Sequence, residues 1–348
     1  MNKTATLIVA LCASFICLTS NARILRIGYP GTPLIGTDYS VTDITSAIDD
    51  ASPGDTLQLY QQYWSTSGSF TVNKLLHFIG FGYFLDKNPG LQAVNNTTNN
   101  TITVAFQTGS EGSTIQGLYG NVYLAASNIT VSRCRASIYL GYDINGSSVS
   151  GLSNLKLIAN YLDNILEYGA GISNVYIANN AILGYNLSNS SGTFTNNIVY
   201  NSGSFNSFLI RNNIFINSSP VPGGNTFEYN IFPDYGNGIT GTGNQFSIDV
   251  STVFQNYSDN SNFSVFYDYA NSDYTDNRMA IIPGSPASGN GKKNDNTNTD
   301  MGVFGGEAGE LYRLSGIPPV PSIYRLTAPS STATTNPYTI TISVRSNN

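Results

Sequence analysis

Between residues 175 and 235 the apolar and polar positions follow a pattern that repeats. The segments "VYIANNAILG", "TFTNNIVYNS", "FLIRNNIFIN" and "TFEYNIFPDY" share the form apolar-x-x-Asn-x-apolar. They align Ile177, Asn180 and Ile182 with Phe194, Asn197 and Val199, then Ile210, Asn213 and Phe215, then Phe227, Asn230 and Phe232. The asparagines are 17, 16 and 17 residues apart. A unit this short cannot enclose a core, so each must be one turn of a solenoid that buries its apolar side against its neighbours. Two short apolar strands per row, bent at the asparagine, predict coils of a parallel β-helix. Asparagine suits the bend because it tolerates the left-handed backbone conformation. Its amide also donates and accepts, so amides stacked about 4.8 Å apart can bond one another from coil to coil. Asn180, Asn197, Asn213 and Asn230 are therefore expected to form a buried structural ladder that needs no ligand.

Looser coils precede these rows. "NVYLAASNITVSRCRASIYLGYDI" offers Val122 and Leu124, Ile129 and Val131, then Ile138 and Leu140, and "NLKLIANYLDNI" offers Leu155 and Ile158. Setting Val131 against Ile158 places Cys134 and Tyr161 at the ladder position, where Cys134 reads as a small, inert buried filler. In this register the outward positions are Thr130, Leu157, Tyr176, Thr193, Leu209 and Thr226. Two residues on come Ser132, Ala159, Ala178, Thr195, Arg211 and Glu228, so the face holds almost no acid or base.

Upstream, "DYSVTDITSAIDDASPGDTLQLY" changes period from strand to helix. It predicts a helix over about Val41 to Asp50, capped by Thr42 or Asp43, with Ile44, Ala47 and Ile48 inward and Pro53-Gly54-Asp55 as its stop. Such a helix would cover the open sheet end of the first coil. His77, alone between Leu76 and Phe78 in an early coil, reads as structural. At the start, Lys3, an apolar run from Ala5 to Leu18 and the small residues Ser20 and Ala22 form a secretory signal peptide. That run is too short to span a bilayer, so no membrane insertion is expected. From Ile317 onward, Pro318, Pro319 and Pro321 make a stiff link to the alternating "YTITISVRS". The expected organisation is a signal peptide over 1–22, a β-helix over 23–316 with its cap at about 38–54, and a C-terminal β-tail over 317–348.

Composition narrows the partners. Apolar residues make up 41% of the chain and charged residues 10%, enough to bury a large core. Without the signal peptide, 14 basic residues face 21 acidic ones, a net charge of −7, which makes nucleic acid and anionic membrane poor partners. Only Cys134 remains, so no disulfide forms within one chain. A monomer is expected.

The helix followed by "SPGDTLQL", then "VNKLLHFIGFG", the asparagine rows, "GSPASGNG" and "TDMGVFGG" resembles secreted bacterial right-handed parallel β-helix proteins of the pectate-lyase-like superfamily. The similarity runs from about Asp38 to Gly306. It is closest to a poorly characterised subgroup in which a tail such as "LYRLSGIPPVPSIYRLTAPS" follows the "FGG" turn. The resemblance implies an all-β fold, a right-handed parallel β-helix solenoid with an N-terminal capping helix and a small C-terminal β-element. It leaves activity open, because lyases, hydrolases, epimerases, adhesins and inert scaffolds share this architecture. The Asp-rich triplets of polygalacturonase-type hydrolases are absent, as are counterparts of the calcium-binding acids and the arginine motif of pectate lyases.

Chemistry must then come from the charges that are present. Arg133, Arg135 and Lys156 could form a basic cluster of the kind a polysaccharide lyase uses as base and charge neutraliser; Arg211, Asp143, Asp163 and Glu167 are the other candidates. "NTNTDMGVFGGE" sets Asn296, Asn298 and Asp300 at alternate positions and Glu307 at the twelfth, the spacing of a calcium loop, but Met301 stands where such a loop turns on glycine. Tyr176, Tyr185, Tyr200, Tyr229, Tyr235, Tyr257, Tyr267 and Tyr269 lie on or near the coils, and exposed tyrosines beside Asn and Ser suit stacking on sugars. The favoured reading is a secreted or cell-surface, non-enzymatic element that binds glycan, adheres or supports. A polysaccharide lyase or glycoside hydrolase is the alternative.

Overall fold

The computed structural model describes residues 22–28, 38–40, 43–59, 69–91, 101–257, 265–268, 270–327 and 339–346. The expected signal peptide up to Asn21, Val41, Thr42 and Tyr269 lie outside these. There are two all-parallel sheets, one of eleven strands and one of eight; from Thr56 to Glu228 the chain alternates between them, coil by coil, and Ile24–Gly28 and Tyr39–Ser40 extend the larger sheet at its start. This is a parallel β-helix. Its interior is a continuous column of Leu, Ile, Val and Phe. Among the described residues no helix is long and apolar enough to cross a membrane.

The helix, α1, spans Ile44–Asp50 and buries Ile44, Ala47 and Ile48. It contacts the first strands of both sheets, Ile24–Gly28 and Ser69–Val72, and so closes the end of the coil stack. Asp43 occupies the N-cap but makes no side-chain capping bond.

The ladder is present and longer than the repeat suggested. Asn180, Asn197, Asn213 and Asn230 are all 0% exposed. Each side-chain amide donates to the side-chain oxygen of the next, at 3.0 Å from Asn180 to Asn197, 3.0 Å from Asn197 to Asn213 and 2.9 Å from Asn213 to Asn230. The same oxygens accept the backbone N–H of the preceding rung. Asn160 extends the column at one end, donating to Asn180 at 2.9 Å, and Asn244 extends it at the other.

The register differs by one residue from the expected one in a single coil. Val131 pairs with Leu157, not Ile158, so Asn160 rather than Tyr161 stands at the ladder position beside Cys134. Leu157 is inward and 0% exposed, while Lys156 and Ile158 face outward. The cause is the pair of apolar neighbours Leu157 and Ile158, either of which satisfies an alternating pattern. Cys134 ends the column: it is buried, its N–H donates to the Asn160 side chain, and burial pushes its thiol up to about 12.

Left-handed backbone falls one residue earlier than expected. Arg133, Ala159, Asn179, Asn196, Asn212 and Tyr229, each just before a ladder position, have φ of 52° to 58°. The ladder asparagines themselves are free to point inward because the preceding residue makes the bend.

Along this ridge of bends the C-terminal part of the chain runs back towards the first coils. The Asn212 side chain bonds the Lys292 carbonyl and N–H, Asn196 reaches the Asp300 carbonyl, and Asn179 donates to Val303 and Gly305. Arg133 then donates to the Ile317 carbonyl, and Tyr83 N–H to Ser315. This strap covers the outward side of the smaller sheet at the start of its later strands, from Tyr161 to Ile231. Tyr161, Ala181, Ile198, Ile214 and Ile231 form a second apolar core there with Phe266, Met279, Met301, Val303 and Tyr312. Beyond the strap, Ser322–Thr327 and Thr341–Arg345 pair as an antiparallel hairpin.

One buried carboxylate fastens the strap. Asp276 is 0% exposed and accepts from Asn88 at 2.7 Å, Ser315 N–H at 2.6 Å and the Tyr312 hydroxyl at 3.1 Å. Burial raises its carboxyl from an ordinary 3.8 to about 6, despite the three donors. A folded-state value above the unfolded one favours folding most below about pH 4. This contribution is lost as pH rises through about 6, and is worth up to about 3 kcal/mol. Melting temperature measured from pH 4 to 7 is expected to fall through that window, and Asp276→Asn is expected to flatten the fall.

Candidate functional site

In the true register the outward column of the larger sheet reads Thr130, Lys156, Tyr176, Thr193, Leu209 and Thr226, beside Ser132, Ile158, Ala178, Thr195, Arg211 and Glu228. The face thus carries more charge than expected, since Lys156 replaces Leu157. His77 lies on the same sheet, its ring Nδ1 2.9 Å from the Thr114 hydroxyl.

Arg133, Arg135 and Lys156 have separate surroundings. Arg133 is tied to the strap through Ile317. Arg135 is nearly buried among Phe84, Tyr119, Tyr161 and Tyr274, with its guanidinium 4.5 to 5.7 Å from the four ring centres. Asp163 is its ion-pair partner at 3.8 Å, and burial raises that carboxyl while the arginine lowers it. This is a cation packed between rings, a structural role for both residues. Lys156 alone of the three is exposed. Asp143 caps its own loop through Asn145 and Ser147 N–H, and Glu167 accepts from Asn189 N–H and the Ser190 hydroxyl.

A narrow cleft separates the larger sheet from the strap. Tyr176, Arg211, Lys292, Glu307 and Glu310 line it. The Tyr176 hydroxyl donates to Glu310 at 2.6 Å, and burial with the neighbouring carboxylates holds that phenol well above its ordinary range. Arg211 pairs with Glu228 at 3.7 Å.

The calcium-like string forms a hairpin, with Gly291–Lys292 paired to Asn298–Thr299 and Asn296 at the turn with φ 65°. Its oxygens point to different partners: Asn298 accepts from Lys292, Asp300 from Gly289 N–H and Glu307 from Asn294 N–H. Among the described residues no group of three or more His, Cys, Asp or Glu is placed to hold a metal ion.

Of the tyrosines singled out by sequence, Tyr185 is 7% exposed and belongs to the core, because its coil turns inward beside Phe194 and Phe205. Tyr200, Tyr229 and Tyr257 pack on the second core, Tyr267 pairs with Tyr274, and Tyr235 is 88% exposed.

The exposed aromatic cluster is elsewhere. On strands Tyr119–Leu124 and Arg135–Leu140, Val122, Leu124, Ile138 and Leu140 point inward, which turns Asn121, Tyr123, Ser137 and Tyr139 outward. Tyr123 and Tyr139 are register partners and their rings stack at 4.4 Å and 7°. Beside them Tyr142 and Tyr168 stack at 4.1 Å and 22°. The second pair depends on glycine: a Cβ on Gly141, φ 64°, would lie 2.6 Å from the Gly169 Cα, so only glycine lets these corners meet. Tyr142 also faces Tyr123 at 6.0 Å, and Tyr168 faces Tyr139 at 6.1 Å. The four rings make one block, with Tyr168 44% exposed. Burial and the neighbouring phenols raise Tyr139 above the ordinary tyrosine range. The signal in the sequence was period-two alternation: Tyr123 and Tyr139 occupy the same outward place in successive coils, 16 residues apart.

No protein-family model matches the chain, and no curated protein matches it either.

Proposed function

We propose that this chain is an extracellular scaffold of the pectate-lyase-like type, wound right-handed as parallel crossovers prefer, that binds neutral glycan without cleaving it. The tyrosine block carries the reading. Phenol rings pair an apolar surface for the C–H faces of a pyranose with a hydroxyl for its O–H groups. Asn121 and Ser137 on these two strands, and Asn164 on the next strand, Tyr161–Glu167, stand outward and add neutral donors and acceptors. No Lys or Arg lies between Ala136 and Leu155 or between Leu157 and Ile210, and the charges in these two stretches are Asp143, Asp163 and Glu167, all acidic. Such a surface repels polyuronates and accepts neutral sugars.

Affinity electrophoresis through gels of neutral and acidic polysaccharides tests this. Retardation by a neutral polymer is expected, with Tyr142→Ala/Tyr168→Ala weakening it about tenfold, the loss of about 1.4 kcal/mol of stacking. Lys156→Ala should change nothing. Stronger retardation by polyuronates, or none by any neutral polymer, would overturn the proposal.

A polysaccharide-cleaving enzyme is the second reading, favoured by the cleft where Tyr176 meets Glu310 with Glu307, Arg211 and Lys292 around them. Its mark would be release of reducing ends or unsaturated products, abolished in Glu310→Gln.

A further inference from the structure

We propose that the tyrosine block is a site of oxidative cross-linking, at which a peroxidase and hydrogen peroxide join tyrosines of neighbouring coils by carbon–carbon bonds. The inference does not depend on glycan binding. It rests on two stacked phenol pairs already held together by the backbone: Tyr142 with Tyr168 at 4.1 Å, and Tyr123 with Tyr139 at 4.4 Å. Tyr123, Tyr139 and Tyr142 are partly exposed and Tyr168 is 44% exposed, so an external oxidant can reach the block.

The chemistry closes as follows. Each phenol gives up one electron and its hydroxyl proton and becomes a phenoxyl radical, whose spin is shared with the ring carbons beside the oxygen. Two such carbons, one on each ring, form the new bond. Each then loses its hydrogen, which restores both aromatic rings, while the phenol oxygens are reprotonated. The pair has lost two electrons and two protons in all, and these convert one hydrogen peroxide to two waters. Freely diffusing radicals must find each other, whereas radicals on adjacent rungs start in contact, which replaces a bimolecular step by an intramolecular one.

The bond would tie covalently coils that are otherwise held by hydrogen bonds, an ion pair and packing. Disulfides cannot do this here, since Cys134 is buried and is the single cysteine among the described residues. A link from Tyr142 to Tyr168 closes a loop of 26 residues and one from Tyr123 to Tyr139 a loop of 16. Like any cross-link between distant positions, it restricts the unfolded chain and so favours the folded one.

The test is dilute purified protein treated with a haem peroxidase and hydrogen peroxide, followed by dityrosine fluorescence, a denaturing gel and peptide mapping. The expected product is a monomer that has lost two hydrogens per link, with joined peptides containing Tyr142 and Tyr168 or Tyr123 and Tyr139. Tyr139→Phe/Tyr142→Phe keeps the stacks but removes one phenol from each, and is expected to abolish these peptides. Unfolding in urea before oxidation should scatter the links over other tyrosines. Three results would overturn the proposal: dimers joined through the far more exposed Tyr235, block peptides as abundant in urea as in the folded protein, or no dityrosine in the monomer.

Discussion

Asn213→Ala is expected to lower unfolding free energy by about 3–4 kcal/mol, more than the loss of one hydrogen bond would suggest. The Asn213 side chain takes part in five bonds. Its oxygen accepts Asn197 N–H at 2.8 Å and the Asn197 amide at 3.0 Å. Its own amide donates to Phe194 and Arg211 carbonyls and to Asn230, each at 2.9 Å. Alanine strands the Asn197 N–H in a fully buried site, worth about 1–3 kcal/mol, and leaves a void that fixed neighbouring coils cannot fill. The exposed rung between Asn217 and Asn201 provides the contrast, because water replaces what Asn217→Ala removes, and a change within about 0.5 kcal/mol is expected. Urea denaturation of both variants measures the difference. Equal effects would show that stacking geometry, rather than burial, sets the worth of a rung. Asn197→Ala/Asn213→Ala should cost less than the sum of its parts, since the two share a bond.

Gly120→Ala is expected to be worse, at more than about 4 kcal/mol, and to abolish soluble folded protein. Gly120 pairs with Ile102 across two coils and has φ 153°. A Cβ there would lie 1.8 Å from the Ile102 carbonyl oxygen and 2.6 Å from its nitrogen, both main-chain atoms that cannot rotate away. The strand would have to leave its neighbour. Gly151, φ 74° with no atom within 4 Å of where a methyl group would stand, isolates the conformational part of such a change. Gly151→Ala should cost only about 1–2 kcal/mol, the strain of a left-handed residue with a side chain. Soluble yield and thermal melts of the two variants separate steric clash from backbone strain.

The coil architecture was legible because periodicity and packing agree: an asparagine every 16 or 17 residues marks the bend, and the flanking apolar residues are those that fill the interior. Legibility failed where two apolar residues adjoin. Leu157 and Ile158 fit the pattern equally, and only pairing with Val131 chooses between them. Asn160 was lost with that choice. The second core was invisible for a different reason, since Ile198, Ile214 and Ile231 look like ordinary members of short buried strands until the returning chain is placed over them. Spacing does not show what surrounds a charged side chain, since arginine serves packing as well as chemistry, and Arg135 stands among four rings. The tyrosine block required knowing that Gly141 and Gly169 bring their corners together, a fact of three dimensions that spacing alone does not carry.

The returning strap changes what kind of cooperative system this is. A plain solenoid is a one-dimensional array in which each coil senses only its neighbours, so it can grow or fray one coil at a time. Here Lys292, Asp300, Val303 and Ile317 are joined in turn to Asn212, Asn196, Asn179 and Arg133, so late sequence closes over early coils in reverse order. Contacts such as Tyr83 with Tyr312 span 229 residues. The array becomes a closed circuit: coils can assemble as they are synthesised, but the fold is locked only when its last segment has doubled back. Long-range closure of this kind slows folding and couples fraying at one end to loss of order at the other.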